Sequence, residues 1–268
     1  MDVVHQISLS ATADDRRELE QLGVALPPPV EIPKGFVSFR VRESDPIWPR
    51  VSDWIRSYQP LDVVWTVFDK GELEAARWLV MRPTWHHGYP QPEDDFGYLK
   101  VIYDLSQYCP ECGVGARQRA PFRMKREPKW HGRGILQLNW VFDEYFVIPE
   151  VWNTVFRPFG TDRMDVLDRK GDVLTTVTQL VVPDEVNLHV GDLPAERCHA
   201  CGRSKYEPVV RGRLPAMVRP PAAHMARSAE SFGSGRRAYH EVIVSNELAR
   251  RIRAEGIRGV SFVPLEEG

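Results

Sequence analysis

The chain has 268 residues, 43% of them hydrophobic, with eight Trp, 22 Pro and a net charge of −2. That is one large domain or two smaller ones, with enough apolar residues to bury a core. The longest apolar runs, residues 78–81 and 145–148, are far too short to span a membrane. The first fifteen residues lack a basic start followed by an apolar stretch, so no secretory signal is expected and the cytoplasm is the expected compartment.

Residues 1–34 hold a charged stretch, DDRRELEQLG, and then three prolines at 27–29, which predicts a short helix and a linker. Residues 35–41 alternate apolar and polar side chains as a half-buried strand does. Asp45 and Pro46 are a candidate N-cap and first helical residue, with Trp48, Val51, Trp54 and Ile55 following at helical spacing. Residues 62–68 are expected as a strand, 71–79 as a short amphipathic helix, and 83–97 as an irregular loop of turn formers. Further strands are expected at 134–142 and 173–182, with a short helix at 149–156. Residues 211–237, rich in Gly, Pro, Ser and Arg, suggest a long loop. The C-terminal pattern is clearer: a strand at 238–245, Ser245 as N-cap, a helix through Ala254, Gly256 as C-cap, and a strand at 259–265. Short strands and helices without a strict βαβ rhythm predict an α+β fold, with residues 1–34 as helix and linker and 35–268 as a single metal-binding domain.

All four cysteines lie in two CxxCG motifs, CPECG at 109–113 and CHACG at 198–202. Two thiolates three positions apart in a turn grip one side of a tetrahedral ion, and the glycine permits a sharp backbone path back toward sulfur. Together Cys109, Cys112, Cys198 and Cys201 make a full thiolate shell for one structural zinc. The 85 residues between the pairs exceed the roughly 15–20 of a compact zinc ribbon, so residues 113–197 are expected to be a folded insertion in a zinc-ribbon-like site. Loop closure allows this, since its entropy cost grows only logarithmically with length. A redox CxxC and a pair of structural disulfides are the rival readings. A closed four-cysteine shell leaves no open position at which to activate water.

Residues 1–108 carry 11 basic groups against 17 acidic ones, and the remainder 24 against 20. Residues 113–134 and 202–237, one after each cysteine pair, are the basic segments. They are either solvated loops or a surface for an acidic partner or nucleic acid. His86 and His87, beside Glu93, Asp94 and Asp95, are the candidate for a catalytic or second metal site, although adjacent histidines do not make a helical ligand pair. His199, between the second pair of cysteines, is not placed to add a ligand. Asp143 and Glu144 suggest a turn at the end of a sheet, the aromatics of 152–159 suggest core, and FGSG at 232–235 lacks the spacing of a phosphate loop or nucleophile elbow.

The double CxxCG, with CPECGVGARQRAPFRMKREPKW and CHACGRSKY around the pairs, resembles the double-CXXCG motif proteins of myxobacteria. The stretches RPTWHHGYPQPEDDFGY, QLNWVFDEYFV and SFGSGRRAYHEVIVSNEL resemble that family as well, so the likeness runs from about Gly35 to Pro264. Members are associated with immunity to Sit contact-dependent toxins. The resemblance implies a non-catalytic protein that binds and blocks a cognate toxin, and it supplies no catalytic residues. An acidic surface suits a basic, nucleic-acid-attacking toxin, which makes Glu93, Asp94 and Asp95 the expected contact residues. A zinc-ribbon nucleic-acid-binding protein is the second reading.

Overall fold

The structure, a computed structural model, describes residues 1–28 and 35–268. These fall into two compact units, one of Met1–Glu72 with Val209–Gly212, the other of Leu73–Pro208 with Arg213–Gly268.

The first unit runs β1 (Asp2–Ser10), α1 (Ala13–Gln21), β2 (Phe36–Arg42), α2 (Trp48–Tyr58) and β3 (Leu61–Val67), and α3 (Lys70–Ala75) carries the chain across the division. β1 is the middle strand of an antiparallel sheet, between β2 and β3. Ile7, Val37, Leu19, Val51 and Trp54 close a core between sheet and helices. α1 starts on a capping box, in which the Thr12 hydroxyl accepts the Asp15 N–H and the Asp15 carboxylate accepts the Thr12 N–H. α2 begins later than expected, at Trp48 with Pro49 in its first turn. Asp45 instead turns the approach by accepting the Ile47 N–H at 3.2 Å.

The expected organisation is corrected here. The expected boundary at 34/35 and Pro29 lie outside the described residues. The N-terminal segment is not only helix and linker, because residues 2–10 supply the central strand. Residues 35–72 share its sheet and core and so belong with it, not with the cysteine-bearing unit.

The second unit continues with β4 (Trp78–Pro83), α4 (Tyr98–Ile102), β5 (Tyr103–Asp104), β6 (Arg117–Gln118), β7 (Ile135–Leu136), β8 (Phe146–Val147) and α5 (Pro149–Val151). There follow β9 (Asp162–Leu167), β10 (Val173–Val181), β11 (Glu185–Val186), β12 (Ala195–Arg197) and β13 (Ser204–Tyr206). β14 (Met225–Ser228), β15 (Val242–Ser245), α6 (Asn246–Ala254) and β16 (Val260–Pro264) complete it. One sheet has the order β7-β8-β10-β9, a second β11-β14-β15-β4-β16, and β5-β6 and β12-β13 are separate hairpins. Fold class is therefore mixed α+β, as the patterning predicts.

Local departures have clear causes. The helix expected over 71–79 stops at Ala75, because Leu79, Val80 and Met81 are buried in an inner strand of the five-stranded sheet. A continuous apolar run of this kind fits a strand covered on both faces as well as it fits a helix. The strand expected over 134–142 shrinks to Ile135–Leu136; beyond it the chain bonds the 85–88 loop, with Gln137 N–H on the Trp85 carbonyl and Asn139 Nδ2 on that of Gly88. The expected 211–237 loop contains β14, a strand inside the large sheet. The helix expected at 149–156 begins as α5 and continues through a wider π turn at Trp152–Phe156. Ser245 caps α6 as expected, its hydroxyl accepting the Leu248 N–H at 3.2 Å, and the helix ends at Ala254 as expected, but the C-cap is Glu255 and Gly256 follows it with φ +64°. Among the described residues no helix is long and apolar enough to cross a membrane.

Candidate metal centre

The two CxxCG motifs sit at the tips of the two small hairpins. β5 and β6 flank the first, and β12 and β13 flank the second. Their backbones follow the same course. In the first, Gly113 N–H donates to the Cys109 carbonyl at 2.8 Å and Cys109 N–H to that of Val114 at 2.9 Å. In the second, Gly202 N–H donates to Cys198 at 2.8 Å and Cys198 N–H to Arg203 at 2.9 Å. Both glycines have positive φ, +80° and +73°, where a side chain is strained. The amide that reaches sulfur is the next one along, Val114 N–H to Cys112 and Arg203 N–H to Cys201.

The four Sγ atoms lie within 4.8 Å of one another. Cys109 and Cys198 are 3.8 Å apart, Cys112 and Cys201 3.7 Å. Disulfide sulfurs are ~2.05 Å apart, so the four are free thiols and the disulfide reading is set aside. A tetrahedral ion with ~2.3 Å bonds to sulfur would hold its ligands ~3.8 Å apart, which matches both pairs. Cys109, Cys112 and Cys198 are buried and Cys201 is exposed. Burial pushes the Cys112 thiol up to about 12, whereas the Arg203 amide and then its guanidinium bring Cys201 down to about 6. A cluster with one thiolate already favoured and three sheltered sulfurs suits a soft cation that displaces the remaining protons.

The basic segments meet at this centre, but two of their charges are occupied. Lys205 is buried, its ammonium donating to the carbonyls of Cys112 at 3.1 Å and Gly235 at 2.5 Å. Arg203 donates to the Gln107 carbonyl at 2.6 Å. Both tie the second hairpin to the first. Arg236 and Arg237 remain exposed.

Beside the first hairpin lies a cavity of about 450 Å³. Its walls come mainly from residues 110–116, 95–99, 140–143 and 231–240. Asp95 reaches this cavity, on the single 3-10 turn Asp94–Phe96. Glu93 instead faces Gln91 and Arg169, its carboxylate 3.7 Å from the Arg169 guanidinium. The three acidic residues therefore do not present one uniform surface.

His86 and His87 are held by the 137–139 segment; His87 N–H donates to the Gln137 carbonyl at 2.9 Å. Burial lowers the basicity of both, with Arg126 and His131 adding to this at His87. Among the described residues, the four cysteines are the group of metal-ligating side chains that could hold an ion, and neither histidine belongs to it.

The sequence reading missed a buried ionic network. Glu144 is not a surface turn residue: it is 3% exposed and accepts from Arg227 at 2.8 Å and Gln179 at 2.7 Å. Burial pushes its carboxyl up against the pull of Arg227. The signal was Asp143-Glu144 between aromatic residues and directly before a buried strand. No protein-family model matches the chain, and no curated protein matches it.

Proposed function

We propose that the protein is a zinc-stabilised binding protein, in which Cys109, Cys112, Cys198 and Cys201 form a closed zinc-ribbon-like site with a long insertion between its two knuckles. The convergence of four thiols within 4.8 Å carries this reading. Zinc fits because it takes four thiolates in a tetrahedron without redox chemistry, and a closed shell holds structure without activating water. The role proposed is that of an immunity protein that binds and neutralises a cognate contact-delivered toxin in the cytoplasm, not that of an enzyme. Its support is the family likeness over residues 35–264, together with a metal-pinned body able to carry exposed recognition loops such as 83–97 and 231–240. Co-purification with the product of the adjacent gene, and protection of cells expressing that product, test it. A pure protein that neither binds nor protects against any neighbouring toxin ends the immunity reading while leaving the zinc site standing. The exposed Arg236 and Arg237 favour nucleic-acid binding as the second reading, marked by affinity that falls steeply with salt.

A further inference from the structure

We propose that the cavity beside the first cysteine hairpin binds a nucleotide, with the base stacked between aromatic side chains and the phosphate at Arg236 and Arg237. At about 450 Å³ the cavity lies within the range of roughly 300–1,000 Å³ typical of small-ligand sites.

Its walls are aromatic. Trp140 is the hub, with Phe96 at 4.6 Å and Tyr98 stacked at 6.2 Å between ring centroids, and Tyr89 backs it from outside the lining at 4.4 Å. Phe142 lines the cavity too. The backbone that presents these rings is strained. Among the described residues five non-glycine residues have clearly positive φ, and three of them, Asp95 (+50°), Phe96 (+54°) and Trp140 (+69°), line this one cavity. Phe96 is 50% exposed, whereas Trp140 also packs against the core cluster behind it. Strain held in bulky residues around one opening is the pattern of a built ligand site.

The polar groups say what kind of ring fits. Asp143 Oδ2 accepts the His240 N–H at 3.1 Å and lies 3.8 Å from the Arg227 guanidinium, while Oδ1 has no hydrogen-bond partner among the described residues. His240 Nδ1 lies 2.7 Å from the Ser228 carbonyl; a carbonyl only accepts, so Nδ1 carries the proton and Nε2 is left as an acceptor. Both residues line the cavity. Acceptors there call for a ring with a donor edge, such as the amino group of adenine, cytosine or guanine. A hydrocarbon ring would strip water from Asp143 without replacing its hydrogen bond. At the rim, Arg236 and Arg237 are exposed and make no ion pair among the described residues, and Arg237 lies 5.7 Å from the Phe142 ring centre. Two guanidinium groups without ion-pair partners, one of them over the Phe142 ring, beside a stacking surface are the chemistry that takes a phosphate.

A free mononucleotide and the terminal nucleotide of a strand share this chemistry. The test is calorimetric titration of the full, zinc-loaded chain with AMP, CMP, GMP, adenosine and a five-nucleotide single strand. AMP, CMP or GMP should bind, and adenosine at least tenfold more weakly than AMP. The surface variant Arg236→Ala/Arg237→Ala should erase that difference, and Trp140→Ala should weaken both ligands at least tenfold. Asp143→Asn should weaken the amino-bearing bases. Equal affinity for mononucleotide and strand assigns the site to free nucleotides, and a strand at least tenfold tighter assigns it to strand ends; both support the site. No binding of any nucleotide at millimolar concentration would overturn the proposal. So would binding indifferent to the arginine pair, or N-acetyltryptophanamide binding as well as AMP.

Discussion

Cys109 Sγ and Cys198 Sγ lie 3.8 Å apart although 89 positions separate them in the chain. Each sits at the tip of its own hairpin, and between them the chain forms the four-stranded sheet and much of the surrounding core. A cation held at this point would close a loop of domain size, so its removal would be felt far from the sulfurs.

Cys198→Ser should therefore unfold the second unit and not merely loosen a hairpin. Structural zinc supplies on the order of 10–16 kcal/mol of apparent binding energy in small peptides, against roughly 5–15 kcal/mol for the stability of a typical domain. The first unit has its own sheet and core and should melt as before. Calorimetry should show one transition lost or lowered and one retained. A variant that melts like wild type would make the metal peripheral.

The two knuckle glycines should respond differently to the same change. A Cβ on Gly202 meets nothing closer than 3.9 Å, so Gly202→Ala should cost only the left-handed backbone, about 1–2 kcal/mol. A Cβ on Gly113 would lie 2.4 Å from the Arg236 carbonyl oxygen, which is backbone and cannot swing away. Gly113→Ala should cost clearly more, as measured by denaturant unfolding. Equal costs would show that the 231–237 loop yields.

Arg227→Met should strand Glu144, whose burial leaves it dependent on that guanidinium, and should destabilise the second unit by about 3–5 kcal/mol at neutral pH. Without Arg227 only the Gln179 amide opposes the upward push of burial, which Asp143 reinforces, so the Glu144 carboxyl of the folded variant is raised further. A raised carboxyl favours the folded state at low pH and loses that contribution as pH rises above the unfolded value of ~4.3. The deficit should thus shrink in acid, and Glu144→Gln on the Arg227→Met background should restore part of it. A pH-independent deficit would contradict the pairing.

Glu127 should contribute to the acid limb of stability. β10 is irregular between Val173 and Thr178, and there the Glu127 carboxylate accepts the N–H groups of Thr175 at 2.7 Å and Thr176 at 3.2 Å. Burial pushes this carboxyl up, but the Thr176 hydroxyl and these amides outweigh it and hold it below its ordinary value. A lowered carboxyl stabilises above the unfolded value of ~4.3, and the gain is lost as pH falls through the folded one. Unfolding midpoints of wild type and Glu127→Gln, followed from pH 6 downward, should converge in acid. Parallel curves would rule the contribution out.

Replacing Glu93, Asp94 and Asp95 by Ser should leave the protein folded and reduce protection against the cognate toxin. Unchanged protection by a folded variant would remove the loop from the contact surface.

Sequence alone reached the four-cysteine cluster because its information is local: each CxxCG specifies its own turn, and four cysteines with none left over leave little choice of partner. It also reached the capped helix at 246–254, whose Ser245 start and Gly256 stop are short-range signals. What escaped it depends on tertiary context. The apolar run at 78–81 fits helix or inner strand equally, and only the neighbours β15 and β16 decide. The strand at 225–228 is hidden among turn formers and arginines, since one of its two pairing partners, β11, lies far back in the chain. The division after Glu72 was illegible because β1 pairs with strands beyond a proline-rich stretch. The cavity is assembled from four separate segments, of which only the first CxxCG carries a motif, and that motif speaks of metal.

The central claim is tested most directly by zinc K-edge absorption on freshly purified protein of measured metal content. The account predicts about one zinc per chain with four sulfur ligands at ~2.3 Å and no lighter ligand. Protein that is folded without metal, or a zinc bound by nitrogen or oxygen in place of any of the four sulfurs, would contradict it.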